Sequence, residues 1–535
     1  MQDSSINEKT DEPGENGVYK FSEIDPKSKD LSQQSVDFET AISHTGYGKF
    51  NYFLLLIAFP ATCSNTFDTT SMSFALPSAA CELQLTDFDK GCLNGAIFAG
   101  MISSAFLWGF LSDTFGRQRL LTIGYSIDAI FGLITGTSQT FCTILIFKFL
   151  SGVAICGPYS IFVAYLSELF IGKYRDSVIM STGIFTSIGG IIQPIMAWYL
   201  IPKNIHYDFF NGAIRVNSWR IFILISTLPS IMAAVLTAFC VESPKFLMSQ
   251  GRRDEALRVF RTIYAINTGK PAHTYPVKKL IDERRRSMIA DQSERRRRIS
   301  NKTVFVINSF WQQMTALFKK PHLCNAAHVF AVQFAALLSM NTVRLWMPEF
   351  FFRIEQIPNV TSKRVCEIVL LNITRKVTNC DEITVDPHVY TKLIYVAFIT
   401  TLCFVGGSYL ITIIGKEQFL IFTFVTASLS GWIFSWCTST WAVHCCAIYV
   451  SVLQANTVAI LGIVVQFFPT HLRTMAVSMT MMFGRLGVLL GSLAFPFILS
   501  MSCWAPFMIV GTITFCCAIA IIPLLPSKVS QQANT

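Results

Sequence analysis

The sequence predicts an all-α membrane protein with twelve transmembrane helices in two six-helix lobes, joined by a large polar loop. Three observations carry this. The 535 residues are 52% hydrophobic and only 14% charged, with 46 Phe, and the mean hydropathy is +0.47; a soluble chain carries about a quarter charged residues. Apolar runs long enough for the roughly 20 residues that cross a bilayer recur along the chain. The charge is concentrated in one place: residues 241–322 hold 18 Lys and Arg against 7 Asp and Glu, so this segment alone accounts for the formal net charge of +10. A basic block between hydrophobic runs is an orientation signal and a surface for anionic lipid headgroups, not a nucleic-acid footprint.

Residues 1–48 read as a polar, acidic cytoplasmic tail without the apolar core of a cleavable signal peptide, so the first span is expected to act as its own insertion signal. The first lobe, 49–240, holds candidate spans near 50–77, 92–111, 120–137, 141–168, 177–200 and 219–240. After the basic loop, 241–322, the second lobe, 323–526, holds spans near 323–348, 389–414, 418–437, 440–465, 473–498 and 502–525; 527–535 is a short tail. Arg117, Arg119, Lys173, Arg175, the basic block and Arg473 all fall on one side, which places both termini in the cytoplasm. Within the block, Ala256, Leu257, Phe260 and Ile263 form a helical stripe over 252–266, the mark of an amphipathic helix packed under the membrane domain. Arg295–Ser300 has the form of a basophilic kinase site, although an orientation and lipid-contact cluster explains the same residues.

The segment 351–388 is predicted to face the lumen or exterior. It carries glycosylation sequons at Asn359 and Asn372 and the cysteines Cys366 and Cys380, for which a disulfide is expected. A third sequon, Asn301, falls in the cytoplasmic loop and should be silent. Most of the 16 cysteines lie inside apolar runs, where they behave as small hydrophobes.

Between the second and third spans stands Gly109-Phe-Leu-Ser-Asp113-Thr-Phe-Gly116-Arg117-Gln-Arg119. Gly109 is expected to let its helix pack closely on a neighbour, Gly116 to allow a sharp reversal, and Asp113 to need a cationic partner or a helix N-terminus. The pattern resembles the loop between helices 2 and 3 of major facilitator superfamily transporters. Further on come Cys81-Glu-Leu-Gln-Leu-Thr-Asp-Phe-Asp-Lys90-Gly, Val241-Glu-Ser-Pro-Lys-Phe-Leu247, Trp346-Met-Pro348 and Phe468-Pro-Thr-His-Leu-Arg473. Together, from about Phe38 to Leu525, these resemble the synaptic vesicle glycoprotein 2 and related-protein family, near the sugar porters and organic-ion transporters. The resemblance implies alternating access of two lobes around a midplane site, and a cytoplasmic gating network of Gly109, Asp113, Gly116, Arg117, Glu168, Arg175 and Arg473. The chain departs from the pattern in three places. Asn65 stands where the first of two acids in helix 1 is expected, Asp68 keeping the second. Gln466 replaces a Glu before Pro-Thr, and the second copy of the loop motif survives only as Gly415-Lys416.

Charges inside spans cost about 2.5–3.5 kcal/mol each on insertion scales, so they need a role or a partner. Asp128 and Lys148 are expected to form a structural ion pair. Asp68 and Arg485 lie near the midplane and are candidate solute contacts; Arg344 lies nearer the outer end, where it could snorkel to water. Asn65, Gln193 beside Pro194, Asn341, Gln454 and Asn456 are amides in apolar stretches and complete the candidate binding set. Asn341 matches a substrate-contacting asparagine of sugar porters, but the paired glutamines before it are replaced by Ala335 and Ala336, which favours an organic ion over a hexose. Trp108, Trp198 and Trp346 are candidate cavity aromatics.

No phosphate-cradling glycine loop and no metal-spaced His/Cys/acid cluster is present, so neither an enzyme nor a cofactor or metal is expected. The expected partner is a small organic solute coupled to protons or another ion, with the bilayer as surroundings; the oligomeric state is left open. The alternative is a non-transporting receptor or trafficking protein on the same scaffold. Either fits a multi-pass protein of the plasma membrane or of a vesicle.

Overall fold

The computed structural model describes residues 35–203, 205–209, 214–281, 314–315, 317–320, 322–356, 366, 385–468 and 470–522. The described residues form sixteen α-helices. A short α1 (Phe38–Ser43) precedes α2 (Lys49–Glu82), α3 (Asp87–Phe115), α4 (Arg117–Thr137), α5 (Phe141–Leu169), α6 (Gly172–Leu200), α7 (Ser218–Ser226) and α8 (Leu228–Ala238). Next come α9 (Pro244–Ser249) and α10 (Arg253–Thr268), then α11 (Leu323–Glu355), α12 (Pro387–Ile414), α13 (Lys416–Phe434), α14 (Ser439–Phe467), α15 (Thr470–Met501) and α16 (Ala505–Ile521). Ten spans are long and apolar enough to cross a membrane by themselves, α7 and α8 counting as one. The other two crossing helices are α2, diluted by its Asn, Thr, Ser and Asp residues, and α16, which has only 17 residues. The twelve expected runs are thus twelve spans in two sets of six.

Local chemistry sets the boundaries. Thr86 and Asp89 form a reciprocal capping box that starts α3. Thr140 caps α5, and Asp386 followed by Pro387 starts α12. The sixth span is broken at Thr227 because Pro229 has no N–H to continue the ladder. Gly116, at φ +96°, makes the reversal between α3 and α4, where a β-carbon would strike the Glu242 carboxylate.

In the first lobe α3 and α4 pack on α5, α2 on α6, and α8 on α4. In the second, α11 packs on α15, α14 on α12 and α13, and α16 on α13. The lobes meet along α3 with α15, α6 with α12, and α2 with α11. The close approaches rest on glycines, but not on Gly109, which has nothing within 4 Å of a β-carbon. That expectation is corrected: Gly100 and Gly152 bring the backbones of α3 and α5 together, and Gly157 seats the Trp108 indole.

On the basic face, the side carrying Arg117 and Arg175, the segment just before α2 is folded rather than a loose tail. β1 (Ser35–Val36) pairs with β4 (Lys279–Leu280) in parallel. Val36, Phe38, Ala41 and Ile42 form a small core with Phe246, Leu247, Phe260, Tyr275 and Val277. The amphipathic stripe buries Ala256 and Phe260 in this core and Ile263 in the core of the membrane domain, and Gly269, left-handed at φ +71°, ends α10. Most of the basic block itself lies outside the described residues.

On the opposite face, β2 (His206–Phe209) and β3 (Ile214–Asn217) form a hairpin. The expected Cys366–Cys380 disulfide is corrected: Cys366 is bonded to Cys503, with the α-carbons 5.3 Å apart. Pairing follows Cα distance rather than nearness in sequence, and Cys503 sits in the turn between α15 and α16. Cys380, Asn359 and Asn372 lie outside the described residues. Peptide mapping under non-reducing conditions should recover a Cys366–Cys503 peptide pair; its absence beside a Cys366–Cys380 pair would refute this connectivity.

Candidate functional site

A cavity of about 180 Å³ lies between the lobes. The first lobe supplies its polar wall. Asn65, Thr66, Thr69, Thr70 and Ser73 fall on one face of α2 at helical spacing, and Thr186, Ser187 and Gln193 come from α6. The second lobe supplies Arg344, Met347 and Pro348 from α11, Leu393, Thr400 and Thr401 from α12, and Val450 and Gln454 from α14. Gln193 is held in place: its Nε2 donates to Phe67 O at 3.0 Å, and its Oε1 accepts from the Thr70 hydroxyl. Tyr390 donates to Phe74 O at 3.2 Å across the lobe interface beside the cavity.

Of the seven expected solute contacts, three line this cavity: Asn65, Gln193 and Gln454. The other four do not. Asn341 donates to Leu337 O of its own helix at 3.2 Å. Asn456 accepts from Thr423 at 2.7 Å inside the second lobe. Arg485 crosses the interface to the Cys156 sulfur at 2.9 Å. Asp68 points away from the cavity into the first lobe. Arg344, which the sequence places near the outer end where it could snorkel to water, is instead a cavity-lining cation. The tryptophans are packing residues: Trp108 donates to Val153 O at 2.7 Å and Trp346 to Ser492 O at 3.2 Å, while Trp198 is on the outside.

Behind the wall Asp68, Asp128 and Lys148 are buried together. The expected Asp128–Lys148 ion pair is not formed. Asp128 accepts from Ser151 at 2.6 Å and from Ser230 at 2.7 Å, while the Lys148 ammonium donates to Ser71 at 3.0 Å and to Asp68 O at 3.3 Å. Two serines already satisfy the Asp128 carboxylate, and α2 offers Lys148 nearer acceptors. The Asp68 carboxyl faces that of Asp128, and its Oδ2 receives no hydrogen bond from a donor. Two acids and one lysine carry a net charge of −1 when all are ionised, so one added proton makes the cluster neutral.

On the basic face Arg117 bridges Glu168 at 2.8 Å, and Ser243 donates to the same carboxylate at 2.6 Å. Glu242 accepts the backbone N–H groups of Arg117 and Gln118 at 2.8 and 3.1 Å, an acid placed on the helix N-terminus that Gly116 opens. Arg175 bonds Glu39 of α1 at 3.0 Å. The Asp113 and Gln466 side chains lie outside the described residues. Arg473 has no ion pair among the described residues and its Nε is buried without a partner; Lys416 reaches only Gly462 O at 3.4 Å.

The opposite face holds a cluster that sequence reasoning missed. Lys90 of α3 bonds Glu349 of α11 at 2.5 Å, and Arg353 of α11 bonds Asp87 of α3 at 2.5 Å and Glu349 at 3.0 Å. Both cross-links join the lobes, and Lys90 and Glu349 are buried. The signal was an acid and a base at i,i+3 opening one span and at i,i+4 closing another; each pair looks self-sufficient until the helices are brought together. Nearby, Glu82 at the end of α2 takes a 2.5 Å bond from the fully buried Arg220 of α7 and 2.8 Å bonds from Trp219 and Asn217. A larger apolar groove of about 590 Å³ between α11 and α16 is not at the lobe interface. Among the described residues no cluster could hold a metal ion.

Residues 41–350 match the family described as "Sugar (and other) transporter". The chain is 29% identical over 337 residues to human synaptic vesicle glycoprotein 2B, covering 60% of this chain and 48% of that protein. It is 32% identical over 250 residues to rat synaptic vesicle glycoprotein 2A, covering 46% and 33%. The chain therefore spans about half or less of the length of the curated relatives it matches. Its fold is that of a partially occluded, inward-open xylose transporter from E. coli (TM-score 0.63, 15% identity, 90% of this chain and all of that one). It is also that of a nucleoside transporter (TM-score 0.56, 13% identity, 89% and 100%). With more than half of its length matched, the chain belongs to the Sugar (and other) transporter family of the major facilitator superfamily.

Proposed function

We propose that the protein is a secondary active transporter that moves a small organic solute by alternating access, an organic ion rather than a sugar. The observation that carries this reading is the interlobe cavity, walled by hydroxyls and amides, with ion pairs between the lobes on one side of it. A site shared by two lobes changes its exposure when they rock. Arg117, Arg175 and the basic block put the basic face in the cytoplasm, so the Lys90–Glu349 cluster closes the lumenal or extracellular side, and the site faces inward. Both termini, the basic block with its anionic-lipid contacts, and the gating role of Arg117 with Glu168 belong to this cytoplasmic side.

Asp68, Asp128 and Lys148 supply the coupling site in this reading. Taking up one proton neutralises the cluster directly behind the α2 face that contacts solute, so protonation and solute binding act on the same helix. In proteoliposomes with a labelled solute, wild-type protein should accumulate solute under an imposed proton gradient. Asp68→Asn should abolish accumulation while retaining exchange down a solute gradient. Uphill transport at an unchanged rate and pH dependence in Asp68→Asn would remove Asp68 from coupling.

A second reading, a vesicle receptor or trafficking protein without transport, draws on the names of the relatives and on the unpaired Arg473 in the second lobe. Solute-independent lobe positions, read by cross-linking across the Lys90–Glu349 contact with and without a solute panel, would favour it.

A further inference from the structure

We infer that the central cavity recognises a compact organic anion through Arg344, an inference that rests on the transport reading above and names its substrate class. Arg344 sits on α11 about 16 Å inside the Glu355 end at 1.5 Å per residue, in the wall of the cavity. It makes no hydrogen bond or ion pair with any described residue. The acids that could have neutralised it are engaged elsewhere: Glu349, little more than one turn along the same helix, is held by Lys90 and Arg353, and Asp68 faces Asp128 and Lys148. Among the described residues no Asp or Glu lines the cavity.

The remaining walls fit the same class. A guanidinium offers a planar fork of N–H donors suited to a carboxylate or another oxyanion. Lining the same cavity are the amides of Asn65, Gln193 and Gln454, which can complete the shell of an anion; the Thr69 and Thr401 hydroxyls, which donate to carbonyls of their own helices, can accept from its polar substituents. An unpaired cation in the cavity wall repels organic cations and gains little from a neutral polyol. The volume of about 180 Å³ lies below the roughly 300–1,000 Å³ of drug-sized ligand sites, so the occupant is compact. A half-buried charge without a partner is also costly to the empty protein, so Arg344 lowers stability for a benefit that appears only when ligand is bound.

The test uses the full-length protein in detergent, with lactate, succinate and benzoate as probes and lactamide, succinamide and benzamide as their neutral counterparts. At least one anion should raise the thermal unfolding midpoint at a concentration tenfold or more below that needed by its amide. Arg344→Gln should erase that preference while leaving the ligand-free midpoint unchanged or raised, and Arg344→Lys, which keeps the charge and loses the fork, should retain part of it. Equal effects of anion and amide, an anion preference that survives Arg344→Gln, or no response to any of the three anions would each overturn the inference. The comparison of anion with amide in wild-type protein needs no variant, so a poorly folding Arg344→Gln does not spare the proposal. Proteoliposomes separate the two readings: anion binding that depends on Arg344 without transmembrane movement refutes transport and leaves the inference standing. Transport insensitive to Arg344→Gln does the reverse.

Discussion

Replacing Glu349 with Gln is expected to open the side of the bundle that carries Lys90 and Arg353. In the closed arrangement Asp87 and Lys90 from one lobe and Glu349 and Arg353 from the other sum to zero charge, with Lys90 and Glu349 both buried. Removing one member of a buried pair costs about 3–5 kcal/mol, because the remaining charge stays out of water without compensation. Asp87 stays beside both cations and its side chain is 45% exposed, which tempers the loss towards the lower end. The open arrangement hydrates Lys90 and Arg353 and loses little from the substitution. The difference acts on the equilibrium between the two arrangements rather than on folding, shifting it by roughly a hundredfold.

The readout is the reactivity of Ser73→Cys, on the cavity wall, with a membrane-impermeant thiol reagent applied from the Lys90 side. Its rate should rise at least tenfold when Glu349→Gln is added in the same background. Swapping the charges, Lys90→Glu with Glu349→Lys, should bring the rate back towards that of the parent, because the swap restores opposite charges at the same contact. An unchanged rate in Glu349→Gln would show that helix packing, chiefly α3 on α15, holds this side shut without the ion pairs.

The fold was legible in the sequence because hydrophobic length and the distribution of charge are properties of single segments. Twelve runs and one basic block are visible without knowing which helix touches which, and the stripe Ala256, Phe260, Ile263 announces a buried face by spacing alone. The site was less legible, since it depends on how helices are rotated and paired. Asn65, Gln193 and Gln454, amides in apolar stretches, line the interlobe cavity, but Asn341 and Asn456 carry the same signal and turn into helix contacts. Asp128 and Lys148 looked like partners because each was a lone charge at a compatible depth. The structure gives Asp128 two serines and Lys148 a serine and a carbonyl from α2, neutral groups that no charge count reveals. The Lys90–Glu349 cluster escaped notice for the opposite reason, since each member already had an acceptable neighbour on its own helix. The disulfide was misassigned because sequence separation says little about Cα distance.

Gly152→Ala is expected to be among the most destabilising single-methyl additions in the first lobe. A β-carbon at Gly152 falls on the backbone of α3, 2.8 Å from the Ile97 carbonyl carbon and closer still to its oxygen; one at Gly100 meets Phe149 O and lies 2.8 Å from Val153 N. Both obstacles are main chain, so no rotamer change relieves them, and α3 cannot retreat. Its other side carries Gly91 and Gly95 against Ser492 and Leu489 of α15, so movement away from α5 would press α3 into the second lobe. Overpacking typically costs about 1–3 kcal/mol, and here the upper end applies. Helix association within a bilayer gains little from apolar burial, leaving close packing to hold the pair. Gly109→Ala is the control. It lies on the same helix with open space around it, so it should be neutral or stabilising by up to about 1 kcal/mol through the higher helix propensity of Ala. Thermal or denaturant midpoints of the two purified variants decide the matter. If Gly152→Ala matched Gly109→Ala, α3 and α5 could not be in backbone contact, and the two-glycine crossing that positions Lys90 and Asp87 against α11 would have to be redrawn.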